Sequence, residues 1–364
     1  MSSVRRWYLF AVCAVSIQSV AWAAIVLLRG LLNPRLQADF ELISVQIAVI
    51  IIGLPIFLWH WGRARDHFVN QAVDGVVDVG PAPIYLYLML LGLIGPIVAN
   101  AITLLVALYH IILGSSSKLL PNGMDSSEAI ISSVVALLVL SILSLYFRRQ
   151  EREEIDLDSK ESQGSVADVR RGYLFLLSIT GLSLTIYSLI GLLDWMLLQL
   201  FVDQTVTTLT NAAAIVGNEV ARLLVGLILW QLSWGRAQAL YHSGLRDEQE
   251  SSVRKLYLYV LVFVGSLAVV TTTATVLSGV LRAWLGLVND GEIHIAVSSI
   301  IGFGIVWSYH AFVLHHDAKQ THDTYKEAYI RRIYRYLLAT IGFAVVLVGL
   351  GGVIDVIIRM IFEQ

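Results

Sequence analysis

Charge and cysteine are what this sequence has least of. Only 14% of its 364 residues are Asp, Glu, Lys or Arg, where a soluble globular chain carries about a quarter. The 25 basic and 27 acidic residues nearly cancel, so no basic surface marks a nucleic-acid partner. The single cysteine, Cys13, excludes an internal disulfide framework and a CxxC metal site. It lies in an apolar run and reads as a small buried residue. Walker, GxGxxG, HExxH and GxSxG signatures are all missing, and no catalytic residue, metal ligand or cofactor is assigned.

What is abundant is hydrophobic: 57% of the residues, with a mean hydropathy of +0.74. A bilayer core takes about 20 apolar residues as helix. Runs of that length recur at Trp7–Leu28, Ile43–Gly62, Ile84–Leu113, Ala129–Phe147, Gly172–Leu193, a less clean run ending at Trp234, Leu256–Leu281, Ile293–His316 and Tyr334–Ile354. Pro55 and the group Gly92, Gly95 and Pro96 are expected to bend the second and third. The first is expected to be a helix of the bundle and not a cleaved leader, because its apolar run continues past Ala21-Trp22-Ala23 and it matches internal copies. The expected fold is all-α, a polytopic transmembrane bundle of about nine helices.

The runs are copies of one phrase. A basic pair, a tyrosine and an aromatic two residues later open the segments at Arg5-Arg6-Trp7-Tyr8-Leu9-Phe10, Arg170-Arg171-Gly172-Tyr173-Leu174-Phe175, Arg254-Lys255-Leu256-Tyr257-Leu258-Tyr259 and Arg331-Arg332-Ile333-Tyr334-Arg335-Tyr336. Tyr85-Leu86-Tyr87 is a copy without the basic pair, and the five tyrosines are 77, 88, 84 and 77 residues apart. Trp-Gly-Arg-Ala closes both the second run (Trp61–Ala64) and the sixth (Trp234–Ala237). The repeat unit is a two-helix hairpin of about 80 residues, present as tandem copies plus a final helix. Successive hairpins share one orientation and are parallel repeats.

The chain is expected to divide into a membrane half, 1–147, a linker, 148–171, and a second membrane half, 172–364. Thirteen of the 24 linker residues are charged, with both signs mixed, which suits a flexible segment or a short surface helix. Lys and Arg total 19 on the N-terminal side of the membrane and 5 on the other. The cytoplasmic side carries the excess, so the expected orientation is N-terminus cytoplasmic and C-terminus outside. The tyrosines and tryptophans near the basic ends then read as an interfacial aromatic belt, and the basic doublets as head-group anchors. Four glycines, Gly342, Gly349, Gly351 and Gly352, are expected to give the last helix close helix contacts.

The basic-basic-x-Tyr-Leu-aromatic opening, followed by a second helix ending like Leu227-Ile228-Leu229-Trp230-Gln231-Leu232-Ser233-Trp234, resembles a bacterial membrane family catalogued as a domain of unknown function. The resemblance covers nearly all the membrane segments. It implies a multi-pass inner-membrane protein and supplies no active site. The second hairpin departs from the pattern, since Tyr85 lacks its basic pair and the fourth run ends without tryptophan.

Ionisable residues inside a membrane point to transport or proton relay. The candidates are Glu219 and Arg222, at i and i+3 on one helical face near the outer surface. Asp194 and Asp355, each 21 residues after its repeat tyrosine, are expected at the same level. Two readings stand: an outward-facing polar pocket, or a salt bridge holding the fifth and sixth helices together. Glu41, Glu128, Glu219 and Glu292 near the starts of the second helices also suit the helix dipole. His60 with His310, or His110 with His294, would match in depth for a haem, but each lies near an interface where an imidazole is easily solvated. His315, His316, Asp317 and His322 form no recognised ligand motif. The first functional reading is a scaffold or accessory subunit, or a protein binding lipid or a small apolar ligand. The alternative is a transporter or channel using the Glu219/Arg222 pocket, and an enzyme or haem carrier ranks last. The expected partners are membrane lipids and either another protein or further copies of the chain.

Overall fold

The computed structural model describes residues 3–36, 39–74, 82–113, 120, 123–157, 163–201, 209–243, 246–249, 251–284, 286, 293–320 and 325–362. Among these, nine helices are long and apolar enough to cross a membrane, and no strand occurs. They are α1 (Ser3–Leu32), α2 (Phe40–Asp74), α3 (Ala82–Leu113), α4 (Ser126–Leu157), α5 (Gln163–Phe201), α6 (Leu209–His242), α7 (Ser252–Trp284), α8 (Ile293–Gln320) and α9 (Tyr325–Phe362). A 3₁₀ turn, Pro34–Leu36, follows α1, and a single helical turn, Arg246–Gln249, precedes α7.

The helices outrun their apolar stretches. Hydropathy marks only the lipid-immersed part, whereas Arg, Glu and Gln are also good helix formers. Thus α4 continues through Arg148-Arg149-Gln150-Glu151 to Leu157, and α5 starts at Gln163. Pro55 and Pro96 lie within α2 and α3, which both run on past them. The start of α4 carries the glutamate half of a capping box. The Asp125 carbonyl accepts from Ala129 N, and the Glu128 carboxylate reaches back to Asp125 N at 3.1 Å. Glu128→Ala should therefore lower stability by about 1 kcal/mol, measured by unfolding in detergent.

The chain forms two compact units, Met1–Ala237 and Gln238–Gln364. Within each, neighbouring antiparallel helices pair closely, α1 with α2, α3 with α4 and α7 with α8. Small residues permit the approach. A methyl group added at Gly181 of α5 would lie 2.5 Å from the Trp230 amide nitrogen of α6, and one at Gly226 would lie 2.8 Å from Thr185 N. Gly53 of α2 meets Val20 of α1 in the same way, and Gly265 of α7 meets Trp307 of α8. These positions follow the repeat. Ser16, Gly181, Gly265 and Gly342 each stand eight residues after their tyrosine, and Gly53 and Gly226 stand eight before Trp61 and Trp234. The α9 glycines Gly342, Gly349 and Gly351 meet open space, and the surroundings of Gly352 lie outside the described residues.

Within each unit, successive repeats are joined by their first helices. Phe10 packs on Tyr85 with ring centroids 4.7 Å apart, Tyr87 on Tyr173 at 5.2 Å and Tyr259 on Tyr334 at 5.0 Å, with interplanar angles of 32°, 43° and 43°. In each case the aromatic two residues after one repeat's tyrosine meets the tyrosine of the next. Offset or tilted pairs of this kind are favoured over face-to-face stacking. In the first unit α1 contacts both α3 and α4, and α3 contacts α5, while Val106 and Ala107 of α3 pack with Ala221 of α6. In this unit a first helix, α1 or α3, thus lies against both helices of the following hairpin.

Aromatic residues at the basic ends divide between interior and surface. Trp59, Trp7 and Tyr336 are exposed, as an interfacial belt requires, but Phe10, Trp61, Tyr85, Phe147 and Trp234 are buried. Trp61, Tyr85 and Phe147 form one aromatic core where α2, α3 and α4 meet. The doublets divide likewise. Arg5 and Arg332 are exposed, whereas Arg171, Arg254 and Lys255 are buried. A residue at the start of a helix points to lipid or to its neighbour according to its place on the helical wheel, and repetition of the phrase repeats both environments.

Candidate functional site

Glu219 and Arg222 lie within α6, which begins at Leu209. Glu219 is therefore not in the first turn, and complementing the helix dipole does not explain it. The apolar span starts at Ile215, which puts Glu219 roughly 6 Å inside it at about 1.5 Å per residue. Arg222 Nη1 donates to Glu219 Oε1 at 2.8 Å, with 33% of the arginine side chain exposed and 12% of the glutamate. The Arg222 guanidinium also lies 5.6 Å from the ring centre of Tyr187 on α5, within cation–π range.

Gly191, one turn further along α5, makes room for the glutamate. A methyl group there would lie 3.2 Å from the Glu219 carboxyl carbon. On the other flank, Gly217 packs beneath the Tyr109 ring of α3, where a methyl group would lie 2.5 Å from the ring. Glu219 Oε2 is buried and makes no hydrogen bond among the described residues. The site is thus a charge pair wedged between α5 and α6 and floored by glycines. Sequence reading missed Tyr187, Gly191, Tyr109 and Gly217, because each lies on another helix or does its work by lacking a side chain. Asp194 lies on α5 at i+3 from Gly191 and is half-buried. Asp355 lies in α9, in the second compact unit, and its side chain is outside the described residues.

Two further polar groups sit at helix ends inside the bundle. Arg29, near the end of α1, donates through Nε to the Ser132 carbonyl of α4 at 3.1 Å and through Nη2 to Asn100 Oδ1 of α3 at 3.3 Å. In the second unit Arg254 of α7 donates through Nε to Asp317 Oδ2 of α8 at 2.9 Å, with 4% and 5% of the two side chains exposed. Arg254 Nη2 also donates to Gln238 Oε1 at 3.0 Å, and its guanidinium lies 4.0 Å from the Tyr241 ring centre. The partners are 63 residues apart, beyond any local spacing signal. Asp317, a weak metal-ligand candidate by sequence, is instead the counter-ion of a buried arginine.

The histidines are engaged locally. His60 and His310 each share Nδ1 with the carbonyl one turn back, Ile56 and Val306, at 2.8 Å. His60 packs edge-on to Tyr8, and His310 to Tyr257. His315 and His316 are exposed, and His322 and Glu292 lie outside the described residues. Among the described residues no three His, Cys, Asp or Glu side chains come together as a metal-binding group.

Comparison with known proteins follows the repeat. A family model described as a domain of unknown function, DUF5671, matches twice, over residues 6–138 and 171–309. Each match opens at the second arginine of a doublet, Arg6 or Arg171. No curated protein and no solved structure matches the chain. With two matches that together span most of its length, and nine helices of membrane-crossing length and composition, the chain is an integral membrane protein belonging to the DUF5671 family.

Proposed function

We propose that this protein is a non-enzymatic scaffold or accessory subunit of a bacterial inner membrane, working through contacts of its repeats with lipid and with protein. The basic ends face the cytoplasm, on the strength of the 19 to 5 division of Lys and Arg. The observation that carries the reading is where the charges within the spans go. Arg29, near the end of α1, and Arg254, near the start of α7, bond to groups on other helices, and Arg222 pairs with Glu219 within α6. A charge in the membrane is costly unless paired, and the Arg29 and Arg254 contacts also tie helices together.

A second reading, a transporter or channel opening on the outer side, draws on Glu219 Oε2, which is buried without a hydrogen bond among the described residues. Proton or cation binding to that oxygen would satisfy it. Reconstitution separates the two readings. Vesicles carrying the protein should hold proton, sodium and potassium gradients as long as protein-free vesicles do. A leak through the wild type that Glu219→Gln abolishes, with expression unchanged, would replace the scaffold by the transporter.

A further inference from the structure

We propose that this chain assembles head to tail with copies of itself, α9 of one copy lying along the open groove between α1 and α2 of the next. The proposal deepens the scaffold reading by naming the partner as a second copy.

The groove is lined by Tyr8, Val12, Val15 and Ser16 of α1 with Ile52 and Gly53 of α2, and encloses about 580 Å³. It is the counterpart of occupied places elsewhere in the fold. The α3/α4 hairpin holds α1 against both its helices. The α5/α6 hairpin holds α3, through Tyr87 on Tyr173 and through Val106 and Ala107 against Ala221. In each, the tyrosine of the receiving hairpin meets the aromatic that stands two residues after the tyrosine of the incoming helix. The tyrosine of the α1/α2 hairpin, Tyr8, is 60% exposed.

The complementary half is displayed on α9. The stripe that α1 buries is Phe10, Cys13, Ile17, Ala21 and Ile25, at offsets of 2, 5, 9, 13 and 17 residues from Tyr8. At the same offsets from Tyr334, α9 carries Tyr336, Ala339, Phe343, Leu347 and Gly351, and all five are exposed. Tyr336, which corresponds to Phe10, is 72% exposed. Positions that are core in one copy of the repeat are thus bare in another. The hand of the contact also suits a membrane. Both α1 and α9 are first helices of the repeat and run parallel when all copies share one topology, so rotation about the membrane normal brings α9 of one copy to α1 of the next. Such a heterologous contact builds a ring if the rotation closes and a row if it does not.

The test uses the full-length chain with Cys13→Ala, so that introduced cysteines are the only ones. Tyr8→Cys and Tyr336→Cys are placed on separately tagged chains, co-expressed, and treated in membranes with a short bis-maleimide. Cross-linking between the two tags is expected, with little product when either variant is expressed alone. A chain carrying both cysteines should give a ladder of multimers. Wild-type protein in nanodiscs should show a mass of two or more chains, and Tyr336→Ala should raise the dissociation constant about tenfold. Equal cross-linking of Tyr8→Cys with itself, a cross-link confined to single chains, or a monomeric wild-type mass would overturn the proposal. Assembly together with an ion leak would leave this contact standing and remove the scaffold reading; a monomer with tight vesicles would do the reverse.

Discussion

Asp317→Ala is expected to cost about 3–5 kcal/mol of stability. The aspartate and Arg254 are both almost wholly buried, and the contact between them is 2.9 Å. Truncating the acid takes the carboxylate from a guanidinium held out of water, whose other neighbours include the Gln238 amide oxygen and the Tyr241 ring. Neither of these two carries a full negative charge, so neither replaces the lost carboxylate in offsetting the desolvation of the arginine. Removing both partners is different. The pair's mutual attraction only offsets the cost of burying it, so Arg254→Leu with Asp317→Leu should recover most of the loss. Thermal unfolding in detergent, compared across wild type, single and double variants, measures the difference. A single variant as stable as wild type would mean that water reaches the pair.

Gly181→Leu should prevent α5 and α6 from pairing and leave no monodisperse protein, and Gly181→Ala should lose about 1–3 kcal/mol. The obstruction is backbone, which cannot swing aside as a side chain does. A single added carbon meets Trp230 N at 2.5 Å and the Gly226 carbonyl oxygen at 2.9 Å. In a bilayer there is little hydrophobic force between helices, so packing of this kind holds them together. Gly172 of the same helix has open space where a methyl group would go. Gly172→Ala should therefore be neutral, or stabilising by up to about 1 kcal/mol through helix propensity. Size-exclusion profiles and melting curves of the three variants separate packing from propensity.

Much of this was legible before the structure. The apolar runs located all nine helices, because a length of about 20 apolar residues has few other uses. The tyrosine phrase located the repeat. The direction in which a residue faces was harder to read. Trp59 and Trp61 are two residues apart, one exposed and one buried, and hydropathy cannot tell them apart when lipid and protein interior are equally apolar. Arg254 read as a head-group anchor for the same reason, since its counter-ion Asp317 belongs to another helix. The glycines of α9 read as contact sites, yet Gly342, eight residues after Tyr334, meets open space. Its counterparts Gly181 and Gly265 are packed. The register was visible in the sequence, but which copies use it depends on what packs against them. At the candidate site, the i,i+3 spacing put Glu219 and Arg222 on one helical face, where they pair within α6, and the surrounding Gly191, Tyr187 and Tyr109 gave no signal.

The central claim is that one two-pass module, repeated, keeps its arginine-bearing ends together on the cytoplasmic side. Single cysteines in a Cys13→Ala background, probed in intact cells with a membrane-impermeant maleimide, test it most directly. Cysteines replacing Arg5, Arg65, Arg149, His242 and Lys319 should stay unlabelled until the cells are opened, and those replacing Asn33, Asp125 and Trp284 should label at once. Mixed behaviour within the first group, or labelling of Arg65→Cys and Asn33→Cys from the same side, would contradict it.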